Sequence, residues 1–214
     1  MQTTHLLWLR HYVLPLLFAA ILLLVVRGCV VRQYVLREDS SEMQLLPGDR
    51  VLVGLYDKQP DVGEATAFIL RRSVRFDRPL ACPGDTLWIS FQHRSLSHHQ
   101  SDATDEMLIL PRKGETMGVT PRNAALFAKA LCRYEDVRTD VTSDGRLLLR
   151  GEEVKTVTFT HDLYWMRHTS PSEGFIAASA IVGRPLCIPY SIKPNGQWRW
   201  ERLFKSLDGI DSKR

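Results

Sequence analysis

An uncharged apolar run near the N-terminus limits what this chain can be before any other feature is read. Residues 12–26 read Tyr-Val-Leu-Pro-Leu-Leu-Phe-Ala-Ala-Ile-Leu-Leu-Leu-Val-Val, between Arg10-His11 and Arg27. A helix apolar on every side has no face to give to water. These 15 residues rise only about 22 Å as a helix, whereas a bilayer core asks for about 20 residues. Leu6–Leu9 and Gly28–Val31 supply the missing length if Arg10 and Arg27 snorkel to the interface. Residues 1–32 therefore read as a membrane anchor. Two other readings stay open. One is a cleaved signal peptide, although Val26-Arg27-Gly28 is a poor cleavage site. The other is a lipoprotein signal, which Gly28-Cys29 fits and Arg27 does not.

The charge is informative through its placement. The net charge of +4 over 214 residues raises nucleic acid as a partner. Half of that excess lies in residues 1–39, where Arg10, Arg27, Arg32 and Arg37 outweigh Glu38 and Asp39. The remaining body is nearly balanced, with no long basic run and no interleaving of basic and aromatic residues. A nucleic-acid binder needs a concentrated basic face, so no nucleic-acid partner is expected. Four cysteines are too few for a dense disulfide framework. The arginines after the apolar run outnumber Arg10, and the positive-inside rule would place the body in the cytoplasm.

Beyond residue 33 the pattern is strand-like. Arg50–Tyr56 follows a Pro47-Gly48-Asp49 turn, and Thr86–Phe91 follows a second turn of the same type, Pro83-Gly84-Asp85. Ala65–Leu70, Glu152–Phe159 and Ile181–Ile188 are further strand candidates, and Ser143-Asp144-Gly145 reads as a turn between Val137–Val141 and Arg146–Arg150. Residues 92–106 are His/Ser-rich and read as an exposed loop. Pro121–Tyr134 predicts the one helix of the body, with Thr120 as N-cap and apolar positions 124, 127, 128 and 131 on one face. The expectation is a mainly β architecture. A transmembrane helix precedes an antiparallel β domain over residues 33–206, with an insertion at 92–135, and residues 207–214 form a polar tail.

The stretch Ser40-Ser41-Glu42-Met43-Gln44-Leu45-Leu46-Pro47-Gly48-Asp49-Arg50-Val51-Leu52-Val53 resembles the nucleophile box of type I signal peptidases, S-M-x-P-T-L-x-P-G-D-x-V-L-V, which follows that family's membrane anchor. Aligned without a gap, Ser40 falls on the catalytic serine, and Leu45, Pro47, Gly48, Asp49, Val51, Leu52 and Val53 match. Ser41, Met43 and Gln44 stand where the family has Met, Pro and Thr. A one-residue gap would make Ser41 the nucleophile instead. A second box, K-R-x-V-G/A-x-P-G-D-x-L, resembles Asp77-Arg78-Pro79-Leu80-Ala81-Cys82-Pro83-Gly84-Asp85-Thr86-Leu87. Arg78 and Pro83-Gly84-Asp85 match, and Asp77 occupies the place of the general-base lysine. The family's last box, with Gly-Asp-Asn and Asp-Ser-Arg, is shortened here to Met166–Phe175. Ile181-Val182-Gly183-Arg184 and Trp200–Phe204 resemble its closing segments.

The resemblance implies a serine endopeptidase that cuts exported preproteins after small residues at −3 and −1. It implies a single-pass protein of the cytoplasmic membrane with its β domain on the outer side. That orientation opposes the arginine count, and the family reading is preferred. No cofactor and no metal are implied. The chemistry needs a serine activated by a neighbouring base. A free aspartate is a weak base, with a reference pKa of about 3.9, and Asp77 reads as non-functional in that role. Arg71, Arg72, Arg75 and Arg78 stay protonated, and no lysine lies between Lys58 and Lys113. His161 and His168 lie near the shortened box and could in principle approach the site, although no spacing argues for it. The alternative is a non-catalytic paralogue that binds preproteins, an active signal peptidase homologue or another envelope partner. His93, His98 and His99 read as solvated loop residues, and Cys82, Cys132 and Cys187 as small buried hydrophobes. Trp198 and Trp200 belong either to the membrane interface or to the core.

Overall fold

The computed structural model describes residues 12–25, 28, 30–36, 43–90, 95–97, 106–168 and 173–207. The apolar run forms helix α1, Leu14–Val25, with Pro15 in the first turn, where its missing N–H leaves no broken bond. Side chains from Leu14 to Leu24 are all exposed. Its 12 residues rise about 18 Å. Among the described residues no helix is long and apolar enough to cross a membrane. Of the flanks expected to complete the span, Leu6–Leu9 and Cys29 lie outside the described residues, whereas Val31 pairs with Gly54 in a β-strand and does not extend the helix.

The body is mainly antiparallel β. Strands β1 (Val31–Val35), β2 (Asp49–Gly54), β3 (Thr66–Leu70) and β4 (Ser73–Asp77) open it. Short strands follow: β5 (Pro79–Ala81), β6 (Thr86–Ser90), β7 (Ser95–Ser97), β8 (Glu106–Ile109) and β9 (Thr116–Gly118). Helix α2 (Ala124–Tyr134) leads to β10 (Thr139–Val141), β11 (Leu147–Leu149), β12 (Glu152–Val154), β13 (Thr156–Thr158), β14 (Leu163–Met166) and β15 (Ile176–Ala177). The long β16 (Ile181–Ser191) and short β17 (Lys205–Ser206) close the chain.

The largest sheet runs β1-β2-β16-β3-β4, with β17 alongside β16. Its spine is β16, which leaves β3 and joins β2 near Gly183. At φ 152°, a Cβ on Gly183 would lie 1.9 Å from the Gly54 carbonyl oxygen, so only glycine permits this crossing. The β3–β4 hairpin turns through Arg71 and Arg72, both at positive φ (50° and 66°), as a type I′ connection requires. That tight turn fixes a register in which Thr66 faces Asp77 and Phe68 faces Arg75.

The buried residues among those described form three clusters. Val51, Val53, Ala67, Phe76, Val182 and Ile188 bury one face of the main sheet, together with Leu36, Met43 and Leu45. The second core gathers the inner side of α2 with Leu87, Leu147, Phe159 and Phe175. Phe127 packs edge-on to Phe159 at 5.1 Å, and Trp165 edge-on to Phe175 at 5.6 Å. β14 is buried on both sides: Leu163 and Trp165 enter the α2 core, whereas Tyr164 and Met166 pack with Phe68 and Leu70 of β3. Strand alternation therefore locks β14 between the α2 core and the cluster around Phe68 and Leu70. The residues that follow it inherit a fixed starting point.

Several expectations need correction. Residues 92–106 were expected to be loop, yet β7 lies within them and pairs with β6; residues 91–94 and 98–105, with His93, His98 and His99, lie outside the described residues. Glu152–Phe159 splits into β12 and β13 because each finds a different partner, β11 and β9. Helix α2 starts at Ala124 rather than Pro121. Thr120 and Asn123 bond reciprocally, Thr120 N to Asn123 Oδ1 at 2.8 Å and Asn123 N to Thr120 Oγ1 at 3.2 Å, and this turn precedes the helix. Cys132 is exposed on α2, and Cys82 and Cys187 are only partly buried. Trp198 and Trp200 are exposed rather than core residues.

Candidate functional site

The residue at the expected base position ends β4. Asp77 is buried on the last position of that strand, where the chain turns through Arg78 into β5. β14 runs antiparallel to β5, pairing Trp165 with Ala81 and Met166 with Pro79. The ladder continues by one bond, Arg167 N to the Arg78 carbonyl at 2.9 Å. The next donor, the backbone N–H of His168, finds a side chain instead: it donates to Asp77 Oδ2 at 2.9 Å.

The same carboxylate holds the imidazole. His168 Nδ1 stands 2.9 Å from Asp77 Oδ1, and Arg78 N donates to Oδ1 at 2.8 Å. Three donors thus converge on one buried carboxylate, which orients it tightly. With Nδ1–H directed at the carboxylate, Nε2 is the basic nitrogen of the neutral ring. The carboxylate side chain is 9% exposed and the imidazole 56%. A buried anion gripping an accessible imidazole is the arrangement by which a histidine becomes an oriented general base.

Ser40 and Ser41 lie outside the described residues. The chain on both sides of them is anchored. Leu36 and Met43 belong to the same buried cluster as Phe76, the β4 neighbour of Asp77. Ser40 is three residues from Met43, at most about 11 Å of extended chain. His161, the other candidate histidine, engages Thr160 Oγ1 at 2.9 Å through its Nδ1. The structure therefore brings His168, and not His161, to Asp77. The pairing joins residues 91 positions apart, and its one sequence signal was the nearness of His168 to the shortened last box.

Two other reactive side chains are held in their neutral forms. Burial, with help from Asp85, raises the Cys82 thiol from 9.0 to about 11. Burial also raises the Tyr164 phenol from 10.0 to about 12, with Cys82 and Asp162 adding to it. Cys82 Sγ lies 3.4 Å from the Pro60 carbonyl, as a protonated thiol would. A thiol raised to about 11 carries about 100-fold less thiolate at pH 8 than an ordinary one, and the thiolate is what alkylates. Iodoacetamide at pH 8, followed by peptide mapping, should therefore modify Cys82 about 100-fold more slowly than it modifies a model cysteine peptide. Among the described residues no three or more His, Cys, Asp or Glu are placed to hold a metal ion. Cys29 lies outside the described residues. Compared with known proteins, the chain matches no protein-family model and no curated sequence at a significant level.

Proposed function

We propose that this chain is a membrane-anchored serine endopeptidase of the signal-peptidase type, in which Ser40 is the nucleophile, His168 the general base and Asp77 the carboxylate that holds the base. The observation that carries this reading is the 2.9 Å contact between His168 Nδ1 and Asp77 Oδ1, formed at the sequence position where the resembled family keeps its lysine. The base is supplied from the shortened last box, and the acidic residue becomes its partner. In the reaction, Ser40 Oγ attacks the peptide carbonyl and its proton passes to His168 Nε2. The imidazolium then gives that proton to the leaving amine, and water releases the acyl group by the same route. The substrate class is exported preproteins with small residues at −3 and −1, cut on the outer side of the cytoplasmic membrane.

Two features support the membrane setting. Helix α1 is apolar and exposed along its described length and leads almost directly into β1. A helix of that kind needs an apolar medium. At the end of β1 away from α1, Val35 pairs with Arg50, Arg50 pairs with Tyr190, and the Arg50 guanidinium lies over the Tyr190 ring. Tyr190, Trp198 and Trp200 stack in series at 5.6 and 5.5 Å with Trp198 and Trp200 exposed. Tyr, Trp and Arg are the residues that settle at a headgroup layer.

The test uses the full chain in detergent micelles with a fluorogenic signal-peptide substrate. Turnover is expected in the wild type and should fall to the background rate in Ser40→Ala, whereas Ser41→Ala retains most of it. The opposite pattern would move the nucleophile to Ser41. A wild type with no turnover that Ser40→Ala can remove would sink the peptidase reading and leave the non-catalytic paralogue.

A further inference from the structure

His168 opens the tip of a hairpin, and a hairpin tip is a poor place for a catalytic group. β14 and β15 pair Leu163 with Ala177 and Tyr164 with Ile176. The chain between them carries His168 at its start and Glu173 at its end. An untied connection of that length would sample many positions, and a misplacement of about 1 Å can cost about 100-fold in rate.

Both ends of this connection are tied to one strand. His168 is held by Asp77 through its backbone N–H and its ring. The Glu173 carboxylate accepts from Arg75 Nη1 at 2.7 Å. Residues 75 and 77 both lie on β4 two positions apart, so they share a face and stand about 6.6 Å from one another along the strand. Glu173 is also gripped from the second core: Arg133 Nη1 of α2 donates to its backbone carbonyl at 2.7 Å, and the Tyr134 hydroxyl donates to the Phe175 carbonyl at 3.1 Å. The Arg75–Glu173 side chains are 33% and 12% exposed, against 56% and 43% for the surface pair Arg146–Glu153. Screening is therefore weaker at the first pair than at the second.

We infer that Arg75 and Glu173 are positioning residues for His168: together they pin the far end of the hairpin tip to the strand that carries Asp77, and so hold the imidazole on its carboxylate. The inference rests on the serine-peptidase reading for its catalytic consequence and on geometry alone for its structural one. Neither residue touches the reacting atoms. Each acts through the placement of His168.

The test compares Glu173→Gln, Arg75→Met and the double variant with Glu153→Gln, which breaks only the exposed pair. The expected result is a fall in kcat of about 10-fold to 100-fold with KM within about two-fold, because orientation and not binding is lost. The double variant should be no worse than either single one, and Arg75→Lys should recover most of the rate. Glu153→Gln should match the wild type. A second readout is independent of turnover. In protein labelled with ¹⁵N-histidine, two-bond ¹H–¹⁵N correlations report the tautomer of His168, expected as Nδ1–H in the wild type and shifted toward Nε2–H in Glu173→Gln. An unchanged kcat with an unchanged tautomer in Glu173→Gln overturns the inference. If the wild type shows no turnover that Ser40→Ala removes, the peptidase reading fails, and the tautomer measurement still decides the clamp. If Arg75→Met does not fold, Arg75→Lys and Glu173→Gln carry the comparison.

Discussion

Replacing His168 with alanine should lower kcat/KM by about 1,000-fold, mostly through kcat, with the fold unchanged. The ring projects from the end of a ladder that stays intact through Met166–Pro79 and Arg167–Arg78, so its removal leaves the strands in place. Asp77→Asn should cost a similar or larger factor for a different reason. A neutral amide no longer stabilises the imidazolium, and it allows the tautomer in which Nε2 carries the proton and cannot accept one. The sharpest comparison is Asp77→Lys. If His168 is the base, this change removes its carboxylate and sets a cation against the ring, and turnover is lost. If the chain is a non-catalytic paralogue, the same change restores the lysine that the family pattern lacks, and turnover appears. One variant, assayed against Ser40→Ala, thus gives opposite signs for the two readings.

Residue 77 read as a loss in the sequence because resemblance compares positions one at a time. An aspartate in place of a lysine is a missing base if nothing else moves. Its hydrogen-bond partner, His168, lies 91 positions away, and it arrives through a β5–β14 ladder that no periodicity announces. β14 is only four residues long and buried throughout, so its period-2 signal vanishes into a short apolar run. The features that were legible are those set locally. The Pro-Gly-Asp turns, β2 with its alternating Val51 and Val53, and the buried face of α2 at Ala124, Phe127, Ala128 and Leu131 all follow from spacing. Helix α2 starts later than expected because Thr120 and Asn123 close a reciprocal turn before it, and Asn123 holds the N-cap position. Glu152–Phe159 was misread because one apolar-polar run serves two different partners, and partner choice is a tertiary decision.

The two Pro-Gly-Asp turns look alike in sequence and should differ widely in energy. In both, the aspartate accepts from a backbone N–H three residues earlier: Leu46 N to Asp49 Oδ2 at 2.8 Å, and Cys82 N to Asp85 Oδ2 at 2.8 Å. Only Asp49 is fully buried, at 0% exposure, and only there does a buried arginine close on it. Arg202 donates Nε to Oδ1 at 3.0 Å and Nη2 to Oδ2 at 2.5 Å. Arg199 Nη1 stands 3.8 Å from Oδ1. Arg202 also donates to the Gln44 carbonyl at 2.7 Å, so the fork ties the chain just after Ser40 to the C-terminal segment. Asp49→Ala leaves a buried guanidinium without its counter-charge and should cost about 3–5 kcal/mol. In a chain of this size that is a fall in Tm of about 10 °C or more. Asp85→Ala, which loses one turn hydrogen bond, should cost about 1 kcal/mol. Urea unfolding of the two variants measures the contrast directly. Removing both partners of the first turn, as Asp49→Leu with Arg202→Met, should recover much of the loss, because no charge then remains buried alone. A double variant as unstable as Asp49→Ala would instead locate the energy in the Leu46 turn bond, and would make the two motifs equivalent after all.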